Sequence, residues 1–298
     1  MTSYNHAHLI GDAIESVVRQ DFEDWELWIV DDCSTDQTQD VVQSYLEQDT
    51  RICFFPNEKN QGQSVLFDEY FSKIESTYVA MLDSDDSWQP TKLYDQLAVI
   101  NDDSSIGVVY SDAIIIDDRS MELRSLPNAG WPLDVDGKLF SKIHRNPTKR
   151  EGNLLQELMW GHFMCFSSTF IRTELIAQIP VARIRRSPDW MIFIELAKLC
   201  HFAYIEKPLT NYRIHGNNKQ DQANIDRTIA VEPREYLLSN YAGLIPNRAQ
   251  AIHLRQLGRQ YLLMDDYFHS RNLLFRSLSL NPVDMRSWYY LAQAIIHM

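Results

Sequence analysis

The chain has 298 residues, 45% apolar and 23% charged, which suits a large α/β domain, alone or with a smaller one attached, and excludes global disorder. The formal net charge of −13 divides into −21 over residues 1–136 and +8 over residues 137–298, which disfavours nucleic acid or an anionic membrane as a partner of the first half. Four scattered cysteines without a C-x-x-C pair favour a reducing compartment, and the sequence predicts neither a membrane span nor a signal peptide.

Helical and strand patterns alternate through the first part of the chain. Apolar spacing predicts helices over residues 6–20, 36–48, 63–74 and 92–100, and strands over residues 25–30, 52–55, 78–82, 107–110 and 113–116. Short connections between such elements indicate an α/β fold with a mostly parallel sheet, covered by helices on both faces.

The rest of the chain is less regular before it becomes helical. Residues 119–150 are rich in proline and glycine and predict a long functional loop or a mobile segment. Helices are expected over residues 154–159, 172–178 and 190–200, with strand-like residues 163–171 between the first two.

The C-terminal part is all helical from about residue 229. Residues 257–279 and 287–296 have the pattern of one helical hairpin of the tetratricopeptide type. One such unit cannot bury its own apolar face, so it must pack on the main domain or on a partner. We predict a main domain over residues 1–228, with halves at about 1–118 and 119–228, and a helical segment over residues 229–298.

Two acidic clusters follow predicted strands. Asp31-Asp32 end one strand, and Asp83-Ser84-Asp85-Asp86 follow another. Ligands of open α/β sheets bind at the carboxyl ends of strands, so both clusters are expected at one edge. Paired carboxylates repel unless a cation joins them, and oxygen ligands suit Mg²⁺ or Mn²⁺ with an anionic substrate such as a diphosphate. The alternative is that these residues only end strands and begin turns.

Several short motifs occur in a fixed order and carry a family resemblance. They are Thr2–Asn5 (TSYN), Val30–Asp36 (VDDCSTD), Asn60–Gly62 (NQG), Leu82–Trp88 (LDSDDSW), Ser167–Leu175 (SSTFIRTEL), Ser187–Trp190 (SPDW) and Lys207–Asn218 (KPLTNYRIHGNN). Together, over about residues 1–220, they resemble the motifs of the family 2 glycosyltransferases. The resemblance implies the GT-A fold and inverting, metal-dependent transfer of a sugar from a nucleoside-diphosphate sugar, with Mn²⁺ or Mg²⁺ as cofactor.

The resemblance also implies roles for residues of the first half. It places Thr2 and Tyr4 beside the nucleotide base, Asp32 in a hydrogen bond with the base, and Asp83 and Ser84 at the ribose and diphosphate. Asn60 and Gly62 belong to the same nucleotide-binding set. Asp85, the last acid of the D-x-D motif, is the expected metal ligand.

Roles in the second half follow from the later motifs. Asp189 inherits the place of the general base, although Pro188 replaces the acid that precedes it in the family and Asp189 also suits a helix N-cap. His215 is expected beside the diphosphate or the metal, with Tyr212 and Arg213 near the diphosphate or acceptor. An aromatic acceptor platform is expected from Trp88, Trp160, His162 and Trp190, with core packing as the alternative.

One departure from the family concerns the N-terminus. The apolar strand that precedes the TSYN element in the family is absent from this sequence, and its loss would leave neighbouring strands unpaired. We therefore expect that the true start lies upstream, and that a longer form melts at a higher temperature. The alternative is a destabilised fragment.

The sequence thus predicts an enzyme that uses a nucleoside-diphosphate sugar, with UDP favoured, and a glycan, lipid-linked or other hydroxyl acceptor. Arg183, Arg185 and Arg186 favour an anionic acceptor, unless they form a solvated loop. A cytoplasmic location with peripheral contact at the inner face of the membrane is expected, and the terminal helices are expected to bind a partner or a second copy.

Three other functions were weighed against this one. A nucleotidyltransferase is disfavoured because the Tyr4–Gly11 segment is neither glycine-rich nor basic, and a phosphatase is disfavoured because Ser87 replaces the Thr or Val of its D-x-D-x-[TV] motif. The main rival is a catalytically degraded transferase that binds partners through its helical tail.

Overall fold

A computed structural model of the protein describes residues 1–121, 149–179, 188–215 and 228–296. Arg183, Arg185 and Arg186 lie outside the described residues, as do residues 122–148 of the predicted long loop.

Helices and strands alternate in the first part of the chain, as predicted. The first eleven elements are β1 (Thr2–Ser3), α1 (Ile10–Val18), β2 (Leu27–Asp31), α2 (Thr38–Leu46), β3 (Ile52–Pro56), α3 (Gln63–Phe71), β4 (Tyr78–Ala80), β5 (Ser87–Trp88), α4 (Lys92–Asp102), β6 (Ile106–Ile116) and α5 (Leu155–Leu158). A 3-10 turn (Phe166–Ser168) precedes the next elements, which are β7 (Phe170–Arg172), α6 (Thr173–Ile176), α7 (Pro188–Leu199) and β8 (His201–Arg213). Four longer helices follow: α8 (Thr228–Asn240), α9 (Asn247–Leu263), α10 (Tyr267–Leu280) and α11 (Met285–Ile296).

The strands form two sheets that meet at the candidate site. The first is fully parallel, in the order β1-β2-β3, and the second has the order β4-β7-β6-β8-β5. In the second sheet β6 and β8 are parallel, whereas β4, β5 and β7 pair antiparallel to their neighbours. A parallel bridge between Thr2 and Asp83 joins β1 to the residues that follow β4.

Two residues of the TSYN element itself, Thr2 and Ser3, form the short strand β1. Thr2 pairs with Val30 and Ser3 with Asp31 of β2. The amide of Val30 donates to the carbonyl of Met1, and the amide of Asp32 to that of Ser3. The TSYN element therefore supplies the backbone that pairs with β2.

Strand β6 is one continuous strand, where the sequence predicted two. It runs beside β8 with register shifts around Asp112, which lies opposite Pro208. Proline has no amide to donate, so a bulge at this position lets the pairing continue on both sides.

Two apolar cores hold these layers. One lies under α1, whose buried residues follow the predicted helical spacing: Ile10, Ala13, Ile14 and Val17. The other surrounds α7, in which nine of twelve residues are buried.

The helical tail packs against this second core, which is one of the two alternatives that the sequence left open. His253 of α9 is buried, and one of its ring nitrogens lies 2.9 Å from the Met159 carbonyl. The same ring packs on Trp190 of α7, with centroids 5.7 Å apart. The predicted helix over residues 257–279 is two helices, because the chain turns at Asp265 (φ 59°) and Asp266 caps α10. No helix in the described ranges is long and apolar enough to cross a membrane.

Candidate functional site

The carboxyl end of β2 carries the first acidic pair, and its two side chains hold different loops. Asp31 accepts hydrogen bonds from the amide and the hydroxyl of Ser34, at 2.8 and 2.5 Å. Asp32 is buried, and its two oxygens accept the amides of Gln61 and Gly62, each at 2.8 Å. Asn60 donates to the Asp32 carbonyl at 3.1 Å. Hydrogen bonds to Asp32 therefore bring together three predicted nucleotide-binding residues, Asp32, Asn60 and Gly62, the last two in the turn of residues 60–62.

The loop after β1 is clamped by the loop after β2. Three successive amides of this loop donate to side chains: Asn5 to Ser34 Oγ (2.8 Å), His6 to Thr38 Oγ1 (3.1 Å) and Ala7 to Asp36 Oδ2 (3.0 Å). Tyr4, at the start of the loop, is exposed and free of these bonds. Its ring is therefore accessible for stacking.

The DSDD segment (Asp83–Asp86) lies beside this loop. Gln63 donates to both Thr2 Oγ1 and Asp83 Oδ1, at 3.0 Å each, so Thr2 and Asp83 share one partner. Ser84 is buried, and its hydroxyl lies 2.8 Å from Nδ1 of His6. The predicted nucleotide-binding residues Thr2, Asp83 and Ser84 are thus brought together.

Asp86 anchors this segment to β8 and to the 3-10 turn by hydrogen bonds. It is buried, and its oxygens accept the Arg213 amide (2.9 Å) and the Ser167 hydroxyl (2.5 Å). Burial and the charges of Asp85 and Asp83 raise its pKa well above the usual range. Both carboxylate oxygens already have protein donors, so the structure indicates that Asp86 positions its neighbours.

Asp85 faces two histidines. His215 Nε2 lies 3.1 Å from Asp85 Oδ2, and the His6 and His215 rings meet edge to face with centroids 5.6 Å apart. Burial opposes ionisation of Asp85, but the His215 hydrogen bond and the charges of His6 and His215 outweigh it and lower the pKa of Asp85. One ligand atom from each of His6, Asp85 and His215 lies within 4.8 Å of the others, so these residues fit a divalent cation.

His6 was not among the residues predicted from the sequence. The apolar spacing predicted that a helix begins at His6, but α1 begins at Ile10 and His6 lies in the preceding loop. The sequence held one signal that could have indicated a role for His6 in the site, namely its position directly after the TSYN element.

Of the predicted diphosphate or acceptor residues of β8, Arg213 is buried and Tyr212 is partly buried. Arg213 is 1% exposed and donates to Asp12 Oδ2 (2.8 Å), the Asp85 carbonyl (2.9 Å) and the Asp117 carbonyl (3.0 Å). Burial raises the pKa of Tyr212 well above its usual range. Arg213 therefore braces the DSDD segment and α1, and direct contact of either residue with a diphosphate stays a prediction.

Asp189 lies in the first turn of α7, beside a histidine. Its Oδ2 is 3.5 Å from His162 Nδ1, and both side chains are about one quarter exposed (27% and 25%). The His162 ring also stacks on Phe193 of α7, with centroids 5.6 Å apart. A partly exposed carboxylate with a fixed neighbour suits the predicted general base.

Two of the three tryptophans of the predicted platform lie in the core. Trp88 is 7% exposed, and its indole N–H donates to the Ser167 carbonyl at 2.8 Å. Trp190 is 6% exposed and its indole N–H donates to the Leu158 carbonyl at 2.9 Å, so it takes the core-packing alternative. Trp160 is half-buried and packs against the same core. A platform for the acceptor is thus reduced to His162 and the partly exposed face of Trp160.

Comparison with known proteins agrees with this geometry. The family described as "Glycosyl transferase family 2" matches residues 1–179. The putative teichuronic acid biosynthesis glycosyltransferase TuaG of Bacillus subtilis (strain 168) is 31% identical over 217 residues, which are 72% of this chain and 78% of TuaG.

Two solved structures share the fold. S. aureus TarS 1-349 in complex with UDP-GlcNAc superposes with a TM-score of 0.63 at 18% identity, covering 99% of this chain and 87% of that chain. The mannosyltransferase PcManGT from Pyrobaculum calidifontis, in complex with GDP-Man and Mn²⁺, gives a TM-score of 0.57 at 14% identity, covering 99% and 84%. With the family match over its first 179 residues and the GT-A-like fold, the chain belongs to glycosyl transferase family 2 and is a glycosyltransferase.

Proposed function

We propose that the protein transfers a sugar, with inversion, from a nucleoside-diphosphate sugar to a hydroxyl acceptor in a reaction that depends on a divalent cation. The observation that carries the proposal is the meeting of Asp85, His6 and His215 next to the loop that Asp32 holds. Cation ligands beside the loops that follow β1 and β2 suit a donor whose leaving group is a nucleoside diphosphate, because ligands of open α/β sheets bind at the carboxyl ends of the strands.

The nucleotide would bind between the Tyr4 loop and the Asp32 turn. Tyr4 offers an exposed ring for the base, and Asp32 holds the turn that includes Asn60 and Gly62. A carboxylate oxygen has two lone pairs, so Asp32 retains acceptor capacity for a base N–H beyond its two backbone bonds. Uridine, which offers such an N–H, is the base we favour.

Asp85 and His215 would hold the divalent cation. When bound, the cation neutralises the negative charge that develops on the departing diphosphate. Arg213 fixes the Asp85 backbone by its bond to the Asp85 carbonyl, which keeps the carboxylate aimed at His215.

Asp189 would accept the proton of the attacking hydroxyl. The acceptor oxygen then forms a bond to the anomeric carbon as the bond to the diphosphate oxygen breaks, and the nucleoside diphosphate leaves with the electron pair. Attack opposite the leaving group inverts the anomeric centre. His162 Nδ1 lies 3.5 Å from this carboxylate, so His162 is the neighbouring side chain that would help to orient it.

We infer that the acceptor belongs to cell-envelope polysaccharide synthesis, on the pattern of relatives such as TuaG. An anionic acceptor, such as a lipid-linked diphosphate or an acidic glycan, fits the +8 charge of residues 137–298. Such an acceptor would bring the protein to the inner face of the membrane.

The test is ligand-dependent stabilisation. A nucleoside diphosphate that binds only the folded protein adds about 2.7 kcal/mol at one hundred times its Kd. We expect UDP with Mn²⁺ to raise the melting temperature more than UDP alone, and Asp85→Asn to remove the increment due to Mn²⁺. Asp40→Asn, at an exposed position of α2, is the matched control and should retain it. If neither UDP nor GDP stabilises the wild-type protein in the presence of Mn²⁺, the proposal fails and the result favours a catalytically degraded transferase.

A further inference from the structure

His6 brings a second imidazole to the cation ligands. The cluster of His6, Asp85 and His215 offers two ring nitrogens and one carboxylate oxygen, all within 4.8 Å. A second group, Asp83, Asp85 and Asp86, would offer oxygens alone. The two sets share Asp85, so the choice between them decides the chemistry of the bound ion.

The oxygen-only set is already engaged with the protein. Asp86 accepts from the Arg213 amide and the Ser167 hydroxyl, and Asp83 Oδ1 accepts from Gln63. A cation bound by these oxygens would have to share the Asp86 carboxylate with the donors of two buried residues, Arg213 and Ser167. The mixed set leaves the hydrogen bonds of Asp86 unchanged.

The loop that carries His6 is fixed before any ion binds. Its amides at Asn5, His6 and Ala7 donate to three side chains of residues 34–38, and its carbonyl at His6 accepts the amides of Leu9 and Ile10. Asn5 holds a left-handed backbone conformation with φ 54°. A ring on so constrained a loop loses little conformational entropy when it binds a ligand.

The His6 ring itself is also oriented. Ser84 Oγ lies 2.8 Å from Nδ1, and the ring meets His215 edge to face at 5.6 Å. A hydrogen bond to one ring nitrogen is the usual way in which proteins orient a metal-binding histidine.

We propose that His6 is a third protein ligand of the cation, and that the resulting two-histidine, one-carboxylate set selects a first-row transition-metal ion such as Mn²⁺ over Mg²⁺. This inference rests on the proposed function and adds to it a ligand and a metal preference. Imidazole suits transition metals, whereas Mg²⁺ prefers oxygen and water in an octahedral shell.

The test counts the nitrogens bound to Mn²⁺. Mn²⁺ is added to the wild-type protein with and without UDP, and electron spin-echo envelope modulation is recorded on protein with natural and ¹⁵N-labelled histidine. Two coupled histidine nitrogens are expected in the wild type and one in His6→Ala. Calorimetry should show Mn²⁺ binding that is weakened about tenfold or more in His6→Ala, and Mg²⁺ binding that changes less.

His8→Ala is the matched control, because His8 is an exposed histidine two residues along the same loop and should leave both signals unchanged. A single coupled nitrogen in the wild type, or equal affinity for Mg²⁺ and Mn²⁺, overturns the inference while leaving a metal-dependent transferase intact. The wild-type count does not depend on the folding of any variant. Absence of Mn²⁺ binding to the wild type, with UDP and GDP alike, overturns the proposed metal dependence as well.

Discussion

Lys92 gives a quantitative test of the scaffold beneath the site. It is fully buried at the start of α4, where its Nζ donates to Gln96 Oε1 (2.6 Å) and lies 4.2 Å from the centre of the Trp88 ring. Trp88 in turn donates to the carbonyl of Ser167, whose hydroxyl binds Asp86. A change in the charge of Lys92 therefore acts on residues that support the DSDD segment.

Burial lowers the pKa of Lys92 from 10.5 to about 7. Between these values the folded protein holds a neutral amine, whereas the unfolded chain holds a charged one and binds one proton more. The free energy of unfolding therefore rises with pH across this window, and below about pH 7 the burial penalty is fully present. Over the three units from pH 7 to pH 10 the rise is about 4 kcal/mol at 1.36 kcal/mol per unit.

The Trp88 ring and Gln96 both stabilise the ammonium form, so the observable rise should be smaller than this limit. A desolvated cation–π contact contributes up to about 2 kcal/mol, which leaves an expected rise of about 2–3 kcal/mol. Lys92→Met fills the same space and removes the titrating group. The difference between the wild-type and Lys92→Met unfolding free energies should therefore grow in favour of the wild type as pH rises from 7 to 10.

The assay is urea unfolding, followed by tryptophan fluorescence at several pH values, with the difference between the two proteins taken at each pH. Taking a difference cancels the other groups that titrate in this range. Lys73→Met, which removes an exposed lysine, controls for the loss of one positive charge. A wild-type–variant difference that is constant from pH 7 to pH 10 would refute the reasoning.

Three further substitutions test other parts of the structure. Asp189→Asn should lower kcat by about 10²–10⁴-fold without changing UDP-dependent stabilisation, measured by donor turnover and thermal shift; an unchanged kcat would remove Asp189 as the base. Asp32→Asn replaces an oxygen of a buried carboxylate that accepts a backbone amide, so unfolding free energy should fall by about 2 kcal/mol and the Kd for UDP should rise; stability equal to wild type would contradict the turn described. Gly258→Ala places a Cβ 2.7 Å from Leu274 Cγ and should cost about 1–3 kcal/mol, whereas Gly243→Ala, with open space around it, should cost less; equal effects would count against this packing.

The spacing of apolar residues predicted those helices and strands in which one face is buried in a core. The spacing of Ile10, Ala13, Ile14 and Val17 predicted α1 because one helical face meets one core. Strand β8 was not predicted, because Pro208 and its charged neighbours break the apolar pattern. In the structure Pro208 lies at a bulge, and the neighbouring strand supplies the pairing that the local sequence does not indicate.

The candidate site was also predicted only in part. Asp85 and His215 were predicted from motifs, and the structure brings them to 3.1 Å. His6 was missed because its role depends on contacts with residues about 80 and 210 positions away along the chain, to Ser84 and His215. The burial of Arg213 and Trp190 was likewise undetermined, since a motif fixes which residue is present but not the neighbours that surround it.

The contact between His253 and Trp190 links the tail to the helix that begins beside the candidate base. Because Trp190 follows Asp189 directly, local unfolding of α9 would expose the first turn of α7 to solvent. The two helices should therefore exchange their amide hydrogens as one unit, and a protein cut before α8 would lose protection around Asp189 even with every motif of the nucleotide half in place. We therefore expect the terminal helices to limit local unfolding around Asp189.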